Sequence, residues 1–142
     1  MSTEENKAVL RRNCEEAFNK GDLAVADENI APNYVYHGSG GQEFKGPEGF
    51  KQFITMLRTA FPDLHLTVED MVAEGDKVAH RLTIRGTHKG EFMGIAATGK
   101  QATTTAITIS RFAGGKEVEA WSSLDLLGIM QQLGAAPTIG QA

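Results

Sequence analysis

The hydrophobic positions keep helical spacing, but for one short strand, as far as residue 61 and alternate after it, and that change predicts the layout. Over residues 3–20 they recur at helical spacing: Leu10, Cys14, Ala17 and Phe18 follow i, i+4, i+7, i+8 and make one buried stripe. Asn19-Lys20-Gly21-Asp22 supplies a glycine stop and an aspartate cap for a second helix over 23–30, which Ala31-Pro32-Asn33 breaks. Tyr34-Val35-Tyr36-His37 reads as a short strand, with Val35 and His37 on one face and the tyrosines on the other. A third helix opens at Gly46-Pro47-Glu48, buries Phe50, Phe53, Ile54, Leu57 and Phe61, and stops at Pro62-Asp63.

From there the period becomes two. Leu64, Leu66 and Val68 alternate with His65, Thr67 and Glu69, and Glu74-Gly75-Asp76 turns the chain. Val78, His80, Leu82 and Ile84 then alternate with Ala79, Arg81, Thr83 and Arg85, and a glycine-punctuated excursion over 86–100 follows. Residues 101–127 form the stretch on which the rest converges, a hairpin turning at Ala113-Gly114-Gly115-Lys116. With unbroken pairing, Glu119, Trp121, Ser123 and Asp125 share a face. Helices first and then four antiparallel strands give an α+β fold. The expectation is a cone-shaped curved antiparallel sheet wrapped around the N-terminal helices, with a pocket between the layers. One domain spans 1–142, and the tail 135–142 is expected to fray.

Composition changes little. At 41% hydrophobic and 23% charged residues the chain is an ordinary globular sequence. A net charge of −4 without a basic run argues against nucleic acid as partner. The polar start and the lack of a long apolar run argue against a secretory signal and a membrane span. A single cysteine, Cys14, precludes an internal disulfide and fits a cytoplasmic setting. Thr and Arg on exposed strand faces suit a homodimer or higher homo-oligomer formed through the sheet.

The four histidines lack metal-ligand spacing, no phosphate-cradling loop is present, and no G-x-S-x-G elbow appears. Neither a metal nor a cofactor is expected. What remains is acid–base chemistry in an apolar pocket. Asp125, four residues after Trp121 and among leucines, reads either as a pocket acid with raised pKa or as the cap of the short segment 126–133. His37 is a polar partner at a strand end or a loop histidine. Arg81 is a solvated strand charge or the pocket's cation. Trp121, Phe92, Met93 and Phe18 read as core or pocket wall.

The order of several segments carries a further signal. Phe18-Asn19-Lys20-Gly21-Asp22, Tyr34-Val35-Tyr36-His37, Gly46-Pro47-Glu48-Gly49, Phe61-Pro62-Asp63-Leu64 and residues 86–95 are followed by Thr98-Gly99-Lys100, Val118-Glu119-Ala120-Trp121, Asp125 and residues 126–134. This series resembles the SnoaL-like polyketide cyclase (ester cyclase) family of the nuclear-transport-factor-2-like superfamily. The resemblance implies the cone-shaped fold and a cofactor-independent intramolecular aldol condensation of a small apolar, polyketide-like carbonyl compound. It implies Asp125 as acid–base residue; the residues themselves then suggest His37, a threonine or water as polariser, with Trp121, Phe92, Met93, Arg81 and Phe18 around the substrate. Two departures stand out. The strand over 103–110 offers only hydroxyls where the aldol cyclases carry larger polar partners, and Ala120 stands where many relatives have histidine. A non-catalytic binding module is the alternative reading. Epoxide hydration or ketone isomerisation is another, and the former requires Arg81 beside Asp125 with a second acid such as Asp70.

Overall fold

The structure is a computed structural model that describes residues 2–135. Helix α1 (Thr3–Arg12) starts with a capping box, in which the Ser2 hydroxyl accepts from the Glu5 N–H and the Glu5 carboxylate accepts from the Ser2 N–H. The expected single helix over 3–20 then changes character. Asn13–Phe18 is a π-helical turn, closed by the Asn19 N–H donating to the Cys14 carbonyl at 3.1 Å. Two anchors hold that turn open. Arg58 donates to the carbonyls of Phe18 and Asn19 at 2.9 and 3.0 Å. The Asn19 amide pairs with the backbone of Leu66, accepting at 2.7 Å and donating at 3.0 Å, as a neighbouring strand would. The extra residue turns Asn13, Cys14 and Ala17 together toward the sheet.

Helix α2 (Ala24–Asn29) is shorter than the 23–30 expected, and runs directly into β1 (Ile30–His37). A short β2 (Glu43–Lys45) leads to α3 (Gly46–Ala60), then β3 (His65–Glu74), β4 (Lys77–Thr87), β5 (Gln101–Ala113), β6 (Lys116–Leu124) and α4 (Leu126–Gln132). The expected frayed tail lies outside the described residues except for Ala135, whose N–H donates to Met130 O at 2.8 Å.

Six strands form one sheet in the order β2-β1-β6-β5-β4-β3, the short strand over 34–37 and the four later strands expected from the sequence plus β2, which its pattern does not predict. All neighbours are antiparallel except β1 and β6, which run parallel, Val35 opposite Glu119 and His37 opposite Trp121. A chain that pairs its first long strand with its last requires a partner far away in sequence, which local periodicity does not reveal.

Alternation sorts the two faces of the sheet. Leu82, Ala106 and Leu124 pair on the inner face, as do Val78, Ser110 and Ala120. The helices pack against this side, where Ile30, Tyr34, Phe50 and Ile54 form one core cluster and Leu10, Phe61, Leu66 and Leu82 anchor a second. The period breaks at one place on β6. Arg111 and Phe112 are successive on β5 but face Glu119 and Glu117, so Val118 is the extra residue of a β-bulge. Both Glu117 and Val118 are buried as a result.

Replacing Asn19 with alanine strips the Leu66 backbone of both side-chain partners. A loss of roughly 2 kcal/mol in unfolding free energy is expected, as for paired groups left unsatisfied. Urea denaturation measures it, and an unchanged midpoint would show that the π-helical turn does not depend on this anchor.

Candidate active site

Between the inner face of the sheet and the helices lies a cavity of about 110 Å³. On the same measure one water needs ~10–15 Å³, so the space takes an organic molecule rather than a single solvent. Its walls are mostly apolar and come from every layer: Leu10 and Cys14, Phe50 and Phe53 of α3, Leu82 of β4 and Ala106 of β5. A smaller recess, lined by Ser39, Gln42, Met56, Met93 and Leu126, shares Tyr36, Phe53, Leu57, Phe92 and Leu124 with the main cavity.

The polar groups of the wall are joined in short hydrogen-bonded runs. Glu117, 4% exposed, is carried inward by the bulge at Val118. Its Oε1 accepts from Asn13 Nδ2 at 3.0 Å, and Asn13 Oδ1 in turn accepts from Asn29 Nδ2 at 3.1 Å. Ser110, from β5, is a polar neighbour that lowers the pKa of the carboxyl. Ser110 Oγ also lies 3.3 Å from Nε2 of His80, from β4. Burial pushes the Glu117 carboxyl up to about 7, against the lowering effect of Ser110 and Asn13. Burial alone pushes His80 down to about 4, so the imidazole is neutral at physiological pH. Further along β5 and β6, Thr108 Oγ1 donates to Ser122 Oγ at 3.0 Å on the cavity wall.

The residues expected around the substrate divide. Phe18 and Phe92 line the cavity, and Met93 stands at the adjoining recess. The others face elsewhere. Asp125 lies beyond the end of β6, is exposed, and accepts from the Gly128 N–H at 2.9 Å as the cap of α4. A Cβ at Gly128 would sit 2.3 Å from its carboxylate, so the cap and the glycine require each other. The cap geometry thus corrects the expectation of an inward acid at this position. Trp121 and His37 are on the outer face, their rings stacked at 5.8 Å. His37 lies between Glu119, 2.8 Å from Nε2, and Glu43, 3.3 Å from Nδ1. Arg81 is also on the outer face, held by Asp70 at 2.7 Å. That pair is remote from the cavity wall and supplies no cation beside Asp125, which removes the arrangement epoxide hydration would need.

The profile of the SnoaL-like polyketide cyclases matches residues 8–133. The chain belongs to this family. It is 32% identical over 128 residues to the aklanonic acid methyl ester cyclase DnrD of Streptomyces peucetius, covering 88% of each chain. Among solved structures, IdmH of Streptomyces antibioticus superposes with a TM-score of 0.80 at 36% identity over 91% of this chain and 98% of the other. TsrD of Streptomyces laurentii gives 0.86 at 30% identity over 96% and 99%. The cone-shaped α+β fold expected of a SnoaL-like chain is therefore the fold found.

For this SnoaL-like protein, sequence reasoning missed Glu117, Asn13, Ser110 and His80 as a site. His80 carried a usable signal, because it occupies the phase of Val78, Leu82 and Ile84. Ser110 likewise sits in phase with Ala102 and Ala106 on β5. Glu117 carried none, since strict alternation from Trp121 puts it on the solvent side.

Glu117 and His80 act on stability in opposite directions. Glu117 has a folded pKa above its unfolded value, so its contribution is present below about 4.5 and is lost as pH rises to about 7. His80 has a folded pKa below its unfolded value, so its contribution is present above about 6.5 and is lost as pH falls to about 4. Replacing Glu117 with glutamine removes the first of these. Relative to wild type, the variant is expected to gain on the order of 3 kcal/mol between pH 4.5 and pH 7.5. Denaturant unfolding across that range reads it, and parallel curves for the two proteins would place Glu117 in water.

Proposed function

We propose that the protein is a cofactor-independent cyclase that closes a ring in a neutral, polyketide-like carbonyl compound held in the cavity, with Glu117 as the proton-transfer group. The carrying observation is a carboxyl group with no cationic hydrogen-bond partner, buried in the wall of an apolar cavity and poised to gain or lose a proton near pH 7. A methylene between two carbonyls is already acidic, so the protein has three tasks. It must fold the chain into a reactive conformer, accept one proton from carbon, and return one to oxygen. A pKa matched to the working pH suits one carboxyl to both transfers. Ser122 on the same wall accepts from Thr108, which leaves the Ser122 hydroxyl hydrogen to offer to a carbonyl oxygen. The names of the curated relatives favour an ester of a polyketide acid over the free acid, and burial of Glu117 favours an uncharged ligand for an independent reason.

Aklanonic acid methyl ester is the natural probe. Glu117→Gln is expected to lower kcat for its cyclisation by about 10²–10⁴-fold, as for loss of a general acid–base group. Asp125→Asn, which perturbs only a cap, is expected to leave kcat within about threefold. The reverse pattern, Asp125→Asn inactive and Glu117→Gln active, would return the chemistry to the strand end. Saturable binding without product would return the protein to the binding-module reading.

The outer face of the sheet supports a homodimer. Val72, Ala79, Ile109 and Trp121 are paired in one row across β3, β4, β5 and β6, and Val72, Ile109 and Trp121 are 70, 41 and 39% exposed. A contiguous apolar ridge of this kind is unusual on a monomer. Light scattering is expected to show a dimer for the wild type and a monomer for Ile109→Lys. A wild-type monomer at micromolar concentration would dismiss this surface as an interface.

A further inference from the structure

Glu117 ends a run of two buried amides that reaches it from the helices. Asn29 Nδ2 donates to Asn13 Oδ1 at 3.1 Å, and Asn13 Nδ2 donates to Glu117 Oε1 at 3.0 Å. Asn13 is 2% exposed and Asn29 7%. Three elements meet here: Asn13 comes from the π-helical turn, Asn29 is the last residue of α2, and Glu117 is on β6. The backbone fixes the meeting, because Ile30, the residue after Asn29, stands opposite Glu117 in the parallel pairing of β1 with β6. A buried amide costs free energy that an apolar side chain avoids, and here both direct a donor along one line to the carboxyl.

We propose that Asn13 and Asn29 are positioning residues for Glu117. Asn29 fixes which way the Asn13 amide points, and Asn13 thereby reserves Oε1 as an acceptor and leaves Oε2 as the oxygen that gains and loses the proton. This assignment deepens the cyclase reading and rests on it.

A primary amide has a donor side and an acceptor side, whereas a carboxylate only accepts. With Asn29 donating to Asn13 Oδ1, the NH2 group of Asn13 is turned to Glu117 and meets an ionised carboxylate favourably. The opposite polarity would place Asn13 Oδ1 against Oε1. Two lone pairs would then face one another unless the acid held a hydrogen on Oε1. The polarity of the amide run and the place of the proton are therefore linked. With the polarity found, a hydrogen on Oε1 would point at the Asn13 N–H, so the neutral acid carries its hydrogen on Oε2. The bond from Asn13 favours the charged form against the burial that opposes it, and the second amide in series strengthens that bond.

Anchoring Oε1 also restrains rotation of the carboxyl plane, so Oε2 keeps one direction through both proton transfers. Under the cyclase reading, Oε2 takes the proton from the methylene carbon. The electron pair left there forms the new bond to the electrophilic carbonyl carbon, whose π pair moves onto its oxygen. Oε2 then gives the proton to that alkoxide. The carboxylate is restored, and substrate and product are isomers.

The surrounding titratable groups leave this equilibrium to Glu117. Cys14, on the same turn as Asn13, is pushed up to about 12, and Tyr34 and Tyr36 of β1 are raised, all three chiefly by burial. His80 of β4 is pushed down to about 4 by burial. On the turn Glu15 is exposed and Glu16 pairs with Arg12. The acids before Asn29 on α2 are turned to partners of their own, Glu28 to Arg12 and Asp27 to Lys51. On β6 itself, Glu119 pairs with His37 and Arg111 on the outer face.

The test is the ¹³C carboxyl resonance of Glu117 in the free protein, identified by its loss in Glu117→Gln. Its midpoint is expected near 7 in wild type. Asn29→Ala frees the Asn13 amide to turn and is expected to raise that midpoint by about half a unit to one unit. A packing role alone would weaken the fold and leave the midpoint in place, so an unmoved or lowered midpoint overturns the assignment. Should Asn29→Ala not fold, the wild type still decides. One side-chain amide proton of Asn13 is expected to move downfield as pH rises through the Glu117 midpoint, and an Asn13 amide indifferent to that titration overturns the assignment. Turnover of aklanonic acid methyl ester gives a second readout. For Asn29→Ala, kcat/KM is expected to fall about two- to fivefold at pH 7 and to return to within about twofold of wild type at pH 9. An equal loss at both pH values assigns Asn29 to structure alone and overturns its positioning role. An inactive wild type counts against the cyclase reading, and the carboxyl titration still decides the role of the amides.

Discussion

A carboxyl group without a cation beside it is among the costlier things a small protein can bury, and the burial of Glu117 governs much of this structure. Two departures from regular backbone meet at that group. The bulge at Val118 turns Glu117 from the solvent side to the inner face, and the π-helical turn brings Asn13 within 3.0 Å of it. Each departure forfeits regular hydrogen bonding, and each is held by its own supports, Arg58 and Asn19 for the turn and the two flanking strands for the bulge. Irregular backbone concentrated around one polar side chain is the usual mark of a site that the fold retains for use rather than for stability.

The sheet divides its labour by face. Apart from Glu117, inner positions are apolar or carry hydroxyls and the His80 imidazole. Outer positions carry the ion pairs, among them Arg81 with Asp70 and Arg111 with Glu119. Alternation along the strands keeps these inventories apart, so a one-residue error in register exchanges them wholesale. The same rule explains why Trp121 and His37, plausible as pocket residues, stack on the outside: β6 runs in regular register from Leu124 back to Glu119, and Trp121 is opposite Ile109 within it.

How far the sequence could be read follows from where its patterns are local. The inward phase of Val78, His80, Leu82 and Ile84, the third helix with its phenylalanine face, and the hairpin at Gly114-Gly115 all rest on spacing within one or two elements. These agree with the structure. The parallel pairing of β1 with β6 depends on residues far apart and left no periodic trace. The bulge was hidden for a different reason. A charged residue next to a turn, in Lys116-Glu117-Val118-Glu119, has the composition of a solvated strand start, and only the count of partners on β5 shows that one residue is extra. Asp125 misled in the opposite way, since capping and catalysis ask for the same side chain at the same distance from Trp121.

The parallel contact between β1 and β6 sets an order on assembly. Val35 must wait for Glu119, and Tyr34 and Tyr36 for the strand that carries Ala120 and Ser122, before the hollow has its floor. On a ribosome, the N-terminal helices and β1 would emerge with greasy faces exposed long before their covering strand is made. A ligand-sized hollow in this protein is thus the last thing to exist, and any lesion that slows the closing hairpin would lengthen the time its walls are open to other chains.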